Sequence, residues 1–246
     1  MSEANRRERA QWEARYDRSA LRPVGAPSAW VIRRVLDHTQ EGALVVDVAG
    51  GRGRHALPLV RAGRRVVVVD FAERAVREVV GEMSDAERET SLTVAPLDGN
   101  VAGTVVAAEH CAGAGNSGRR AASMPARMRR PVGVVADCAQ LPIRDGVADA
   151  VVCVNFLDRA LFGDFARLLR PGGVLIVETY TAEQRRLGRG PSDPAHLLRP
   201  GELRELVAPF VEIVEYREGA VRDDAGERWV AGVVGRGGQG GGGLRT

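Results

Sequence analysis

Asp47-Val48-Ala49-Gly50-Gly51-Arg52-Gly53-Arg54-His55-Ala56 is the stretch on which the fold turns. It follows an apolar run at 43–49 and opens a segment of helical spacing at 54–62. Glycines at such a strand-to-helix turn remove Cβ atoms. The backbone can then approach a ligand closely, with the N–H groups at the helix start facing it. A second acid, Asp70, ends the next apolar run at 65–71, where a carboxylate can accept from both hydroxyls of a ribose.

Outward from this loop, apolar runs alternate with amphipathic segments. Strands are predicted at 43–49, 65–71, 132–138, 150–155 and 174–180, with 211–218 and 228–234 closing the chain. The first five show little polar alternation, as strands buried on both faces do. Helices are predicted at 6–16, 28–38, 54–62, 73–83, 161–169 and 200–207. In the last of these, Pro200 takes the first helical position and Glu202 sits in the acid-favouring first turn. The pattern is that of an α/β protein with a doubly wound, mostly parallel seven-stranded sheet and helices on both faces. The stretch 84–131 breaks the rhythm, with no sustained helical or strand period, and is expected to be a mobile loop insertion. The glycine-rich tail, 236–246, is expected to be disordered.

Composition narrows the function classes. At 246 residues the chain suits one α/β domain, 1–235, better than two. Aromatics make up only 4%, which disfavours base-stacking platforms. The net charge of +3 hints at nucleic acid, yet all 35 basic residues are Arg, scattered among 32 acids. That is a residue-usage bias rather than a basic patch, so a nucleic-acid partner is disfavoured. Cys111, Cys138 and Cys153 show no C-x-x-C spacing and no His at ligand spacing. They point to a reducing compartment and no metal site. No apolar run approaches the roughly 20 residues of a membrane span, and the charged first residues lack a signal-peptide core. A cytoplasmic protein without a membrane partner is the expectation.

The glycine loop alone fits two cofactors, because Gly51-x-Gly53-x-x-Ala56 also satisfies the looser dinucleotide fingerprint. Two features separate them. Asp47, four residues before Gly51, would repel a pyrophosphate and attract a cationic amino group or a sulfonium. Farther on, Pro171-Gly172-Gly173 forms a turn between a helix and a late strand. An NAD-dependent oxidoreductase fits both features poorly.

Together, Asp47-x-x-x-Gly51-x-Gly53, Asp70, Asp137-Cys138 and Leu169-Arg170-Pro171-Gly172-Gly173 resemble the class I S-adenosylmethionine-dependent methyltransferases. The motifs stand in the expected order across roughly 27–234, the insertion apart. Ala49 and Gly50 depart from the usual Gly followed by Cys or another small residue, but both are small. The resemblance implies S-adenosylmethionine as cofactor. Asp47 and Gly51 would hold its methionine end, in a loop that also brings Ala49, Gly50 and Gly53 to it. Asp70 would take the ribose and Phe71 would lie against the adenine. Asp137 would accept from the exocyclic amine, and the Cys138 N–H would reach a ring nitrogen. Asn155 and Phe156 would border the methionine and the methyl group. Structural roles stay open beside these: core for Phe156, a helix cap for Asn155, a loop cap for Asp137.

A hydroxyl or amine acceptor needs a base, whereas a thiolate or soft anion does not. Candidate bases are Glu178 and Tyr180 at the end of the fifth strand run, and His196 in the following Pro-rich loop. His55 reads as a packing and capping residue instead. Glu178-Thr179-Tyr180, Leu197-Leu198-Arg199-Pro200-Gly201-Glu202-Leu203 and Tyr216-Arg217-Glu218 resemble the tellurite-resistance-type methyltransferases. Trp12-Glu13-Ala14-Arg15-Tyr16 resembles their opening, which folds over the cofactor as a lid; that role would fall to 1–40. This implies a small-molecule acceptor, a thiol or soft anion. Asn155-Phe156-Leu157-Asp158 is no N-P-P-Y-type motif, so amide methylation of DNA or protein is disfavoured. Two alternatives remain: methylation of RNA or protein, and a methyltransferase-fold binding protein without catalysis.

Overall fold

Val-dense strands with apolar residues on both sides form the centre of the molecule. A computed structural model describes residues 24–81, the backbone of two strands at 92–96 and 103–108, and residues 131–223 and 226–238. The helix predicted at 6–16, most of the 1–40 lid and most of the glycine-rich tail lie outside the described residues.

The strands are β1 (Leu44–Val48), β2 (Arg65–Asp70), β3 (Leu92–Pro96), β4 (Gly103–Ala108) and β5 (Val132–Ala136). They continue with β6 (Ala148–Val154), β7 (Leu169–Tyr180), β8 (Glu212–Asp223) and β9 (Gly226–Arg236). One sheet contains them in the order β3-β4-β5-β2-β1-β6-β7-β9-β8. The five inner strands β5, β2, β1, β6 and β7 pair in parallel, and β9 and β8 add antiparallel at one edge. All seven expected strands are therefore present.

The sheet is wider than expected, with nine strands among the described residues. The additional pair, β3 and β4, extends the β5 edge antiparallel from within 84–131. Pro96 ends β3, the outermost strand, and strand ends and sheet edges are where proline is tolerated. Only five and six residues long, these strands give a weak sequence signal.

Among the described residues, five helices pack on the sheet: α1 (Ala29–His38), α2 (Ala56–Arg61), α3 (Glu73–Gly81), α4 (Phe162–Leu168) and α5 (Glu202–Val207). On one face Val45, Val68, Val152 and Ile176 meet Val31 and Val35 of α1 and Leu59 of α2. On the other, Val46, Val48, Cys153, Leu175 and Val177 meet Phe165 and Leu168 of α4 and Leu203 of α5. The alternation along each strand assigns successive residues to opposite cores.

Two details differ from the sequence reading. Helix α5 begins at Glu202 behind a left-handed cap at Gly201 (φ 75°), so Pro200 lies outside it. The Glu202 carboxylate reaches back to accept from the Arg199 N–H at 2.8 Å, which fixes the helix start two residues later. The Pro171-Gly172-Gly173 turn belongs to β7 itself, as an irregularity where the β6–β7 register shifts. A Cβ on Gly173 would lie 2.8 Å from the Ala148 carbonyl oxygen, so glycine there permits backbone-to-backbone contact.

Candidate active site

The strand order reverses at β1: the chain moves outward through β2 and β5, then returns to β6 on β1's other side. In open α/β sheets the crevice beyond the carboxyl ends of the strands at such a switch point is where ligands bind. Here those ends carry Asp47–Ala49 on β1 and Asn155 on β6. Among the described residues, the non-glycine residues with positive φ are Ala49 (53°) and Asn155 (58°). Backbone strain is thus concentrated on both sides of the switch point, as it is at many functional sites.

Asp47 is 1% exposed, and its Oδ2 atom has no hydrogen-bond partner. Burial pushes its carboxyl up to about 7, against the opposing pull of the Arg54 charge. Gly50 is required by this arrangement, because a Cβ there would lie 2.9 Å from Asp47 Cγ and from Val68 Cγ1. Gly53 (φ 73°) serves packing in turn: its Cβ would strike Val79 of α3 at 2.9 Å. The glycines therefore draw the loop against the sheet as much as they open it to a ligand.

Asp70 is buried at the end of β2 and clamps the same loop. Its Oδ2 accepts from the Gly51 N–H and its Oδ1 from the Ala72 N–H, both at 2.9 Å. Burial raises its pKa, and these backbone donors oppose the rise. Asp137 accepts from the Ala139 N–H at 2.9 Å, capping the short 3-10 turn Cys138–Gln140. Cys138 and Cys153 are both buried, and burial raises both thiols, so neither is an activated nucleophile. Phe71 is half-buried, and Phe156 is half-buried against the core containing Cys153. The Asn155 N–H donates to the Glu178 carbonyl oxygen at 2.8 Å, while its side-chain Oδ1 is buried without a partner.

The candidate bases occupy different settings. Glu178 is 0% exposed, and its carboxylate accepts from Ser28 Oγ and Arg228 Nη1, each at 3.1 Å, and from Arg217. Tyr180 is half-buried, its carbonyl oxygen accepting from the Leu198 N–H at 2.9 Å. His196 is exposed at the end of a short 3-10 turn. His55 does not cap α2. Its Nε2 accepts from the Ser28 N–H at 3.0 Å, tying the glycine loop to the start of α1. Burial lowers its pKa to about 3 and keeps the ring neutral.

Three residues of this region carry no signal of their own in the sequence. Ser28 links α1, His55 and Glu178. Arg159 reaches from the loop after β6 to Glu202, at 2.8 and 3.1 Å, and to the carbonyls of Ala195 and Leu197. It joins the two loops that flank the crevice. Arg54 lies beside Asp47 and His55, close enough for its charge to move both pKa values. A guanidinium inside a glycine turn is the one of these that a closer look at Gly53-Arg54 would flag.

The sequence model of the family described as "Methyltransferase domain" matches residues 90–177, which run from β3 through most of β7 but leave out the glycine loop. Among solved structures, an S-adenosylmethionine-dependent methyltransferase from Methanosarcina mazei matches with a TM-score of 0.57 at 16% identity, covering 88% of this chain and 100% of that one. The chain has the class I methyltransferase fold. TehB from Haemophilus influenzae matches the domain with a TM-score of 0.57 at 16% identity, covering 89% of this chain and 65% of that one. A magnesium protoporphyrin IX methyltransferase from Synechocystis, with S-adenosylhomocysteine bound, matches with a TM-score of 0.53 at 17% identity over 85% and 80% of the two chains. No curated protein matches in sequence.

S-adenosylmethionine is the cofactor of this class, and the residues present fit it. A buried carboxylate oxygen without a partner at the switch point is an acceptor placed for a cationic ligand group. Among the described residues, no helix is long and apolar enough to cross a membrane.

Proposed function

We propose that the domain transfers a methyl group from S-adenosylmethionine to a small-molecule acceptor, specifically a thiol or another soft anion. The observation that carries the reading is the partnerless Oδ2 of Asp47, buried beside the glycine loop. A pyrophosphate cofactor would meet repulsion there, and the ammonium of an amino-acid end would meet attraction.

In this reading Asp47 holds the ammonium, and Asp70 offers its remaining acceptor capacity to the ribose while it keeps the loop closed. Phe71, Asp137 and the Cys138 N–H line the adenine end. Ala49, Gly50, Gly51 and Gly53 form the loop, and Asn155 and Phe156 border the methyl group. When bound, S-adenosylmethionine supplies an electrophilic methyl on a sulfonium, and methyl transfer by direct displacement needs chiefly alignment of the acceptor.

Proton handling at the two buried candidates supports this acceptor class. Glu178 is committed to Ser28, Arg217 and Arg228, and neutral His55 to the Ser28 N–H. Neither group has capacity left to take a proton from a hydroxyl or an amine. An acceptor that arrives already anionic requires no base. The resemblance of Glu178-Thr179-Tyr180 and Leu197–Leu203 to the tellurite-resistance-type methyltransferases supports the same acceptor class, and the protein's place is then the cytoplasm.

Calorimetric titration with S-adenosylhomocysteine and with NADH tests the cofactor. Tighter binding of NADH overturns the reading. A mass-spectrometric methyl-transfer screen over thiols, metalloid oxyanions, small amines and RNA tests the acceptor. Turnover confined to amines or RNA removes the soft-anion assignment and leaves the cofactor standing.

A further inference from the structure

Arginines at the two ends of β6 each join separate segments of the chain. At the amino end, Arg167 of α4 donates to Asp164 and to the Ile143 carbonyl, each at 3.1 Å, and to Asp145. At the carboxyl end, Arg159 joins the loop after β6 to the segment that follows β7. Its Nε and Nη2 atoms hold both oxygens of Glu202, at 2.8 and 3.1 Å. Its Nη1 and Nη2 atoms donate to the carbonyls of Ala195 and Leu197, at 2.9 and 3.0 Å. A grip on both carboxylate oxygens fixes orientation as well as distance. Glu202 is buried, and its carboxyl is held down to about 2, chiefly by the hydrogen bond from Arg159.

Both joined segments are fixed on their own account as well. Asp158 Oδ1 accepts from the Ala160 N–H at 2.9 Å, which turns the loop at Arg159. In the other segment the Leu198 N–H donates to the Tyr180 carbonyl at 2.9 Å, and its carbonyl accepts from the Ala182 N–H at 2.8 Å. Leu197 and Leu198 are buried. The parallel strands run β5, β2, β1, β6, β7 across the sheet. In the reading above, the adenosine lies over β5 and β2, the amino-acid end over β1, and the methyl group at Asn155 after β6. An acceptor thiolate forms its bond to the methyl carbon as the bond to the sulfonium sulfur breaks, and that sulfur keeps the electron pair. Attack comes in line, from the side away from the leaving sulfur. That side lies over the ends of β6 and β7, between the loop 155–161 and the segment 194–198.

We propose that Arg159 is a positioning residue for the methyl acceptor: its guanidinium locks the segment 194–198 against the loop after β6, and the two together form the fixed wall that aligns the acceptor. This rests on the cofactor and acceptor reading above. Arg159 acts through the two segments it joins and touches neither cofactor nor acceptor. Arg167, with a comparable set of bonds at the opposite end of β6, serves the fold alone.

The test uses the full chain, with calorimetry of S-adenosylhomocysteine binding and steady-state methylation of two thiol probes, 2-mercaptoethanol and thiophenol. Arg159→Met is expected to bind S-adenosylhomocysteine within about twofold of wild type. Toward both thiols it is expected to lose about tenfold to a hundredfold in kcat/KM, mostly in kcat, because a loosened wall admits the acceptor without aligning it. Arg159→Lys is expected not to restore the loss, since one ammonium cannot span a carboxylate and two carbonyls. Arg167→Met is expected to lower Tm about as much as Arg159→Met and to change kcat/KM less than about twofold. An Arg159→Met chain with wild-type kcat/KM overturns the assignment. So does an equal kinetic loss in Arg167→Met, which marks the effect as general stability. A fall in S-adenosylhomocysteine affinity that matches the fall in turnover also overturns it, making Arg159 a support of the cofactor site. Should Arg159→Met fail to fold, Glu202→Gln keeps an acceptor for the Arg199 N–H and is expected to show the same split, about threefold to tenfold in kcat. Wild-type turnover in that variant, or its failure to fold, overturns the assignment. A wild-type chain that binds S-adenosylhomocysteine and methylates neither thiol overturns the acceptor reading and this assignment with it, a failure visible before any variant is made.

Discussion

Two carboxylates lie on the same face of the sheet, one at the end of β1 and one near the end of β7, and both are withdrawn from water. Asp47 has an oxygen with no partner, and its carboxyl is pushed up to about 7. Glu178 has three partners, Ser28, Arg217 and Arg228, from α1, β8 and β9. Arg217 also stacks on Trp30, 4.3 Å from the ring centroid, across Gly232, whose absent side chain leaves the room. Burial alone therefore does not mark a functional acid. What separates the two is whether the fold supplies the partner: at Asp47 it leaves one oxygen without one, and the proposal above gives that place to a ligand.

The comparison breaks most visibly at Glu178. Glu178→Ala leaves Arg228, whose side chain is 8% exposed, without its carboxylate, and is expected to cost about 3–5 kcal/mol in urea unfolding. A loss below about 1 kcal/mol would mean the cluster is not a latch. Asp47→Asn should act oppositely. At pH 8 it is expected to stabilise the free protein by about 2–4 kcal/mol, by removing a buried charge, while S-adenosylhomocysteine affinity falls at least tenfold. Destabilisation together with retained affinity would reverse the roles of the two acids.

The pH dependence sharpens this contrast. The ordinary Asp value is near 3.9, so the folded state keeps a proton on Asp47 that the unfolded chain releases. The stability it contributes is full below about pH 4 and is lost as pH rises through about 7. The stability gap between Asp47→Asn and wild type should therefore widen from pH 4 to 7 and then level off. Ligand affinity should strengthen over the upper part of that window, as Asp47 becomes anionic. His55 has the reverse sign: depressed to about 3, it contributes stability that is full above pH 6.5 and lost as pH falls toward 3. His55→Ala is expected to cost about 1–3 kcal/mol at pH 7.5, by leaving the Ser28 N–H unpaired, and to flatten the acid limb of the thermal melting profile. The smallest effect is expected at Ala49→Gly, a gain of about 0.5 kcal/mol from relief of its positive φ, measurable as a small rise in Tm.

Much of the architecture is legible in local pattern. Runs such as Val66–Val69 and Ala150–Val154 announce doubly buried strands because they carry apolar side chains without polar alternation. The turn at 47–56 is legible because backbone geometry there demands glycine. The β3–β4 pair is not, since short edge strands owe their pairing to the neighbouring β5 rather than to their own composition. In the site, the ends of β1 and β2 are readable from two acids placed after apolar runs. The commitment of Glu178 is not, because Ser28, Arg217 and Arg228 lie far from it in the chain.

By itself, then, the sequence determined the sheet's inner strands and the loop Asp47–Ala56, because both depend on the φ/ψ demands and burial of neighbouring residues. Only the tertiary structure decided which buried acid is satisfied and which is left open. Desolvation and charge pairing are set by side chains that the fold brings together from α1, β7, β8 and β9, and no local spacing encodes that meeting.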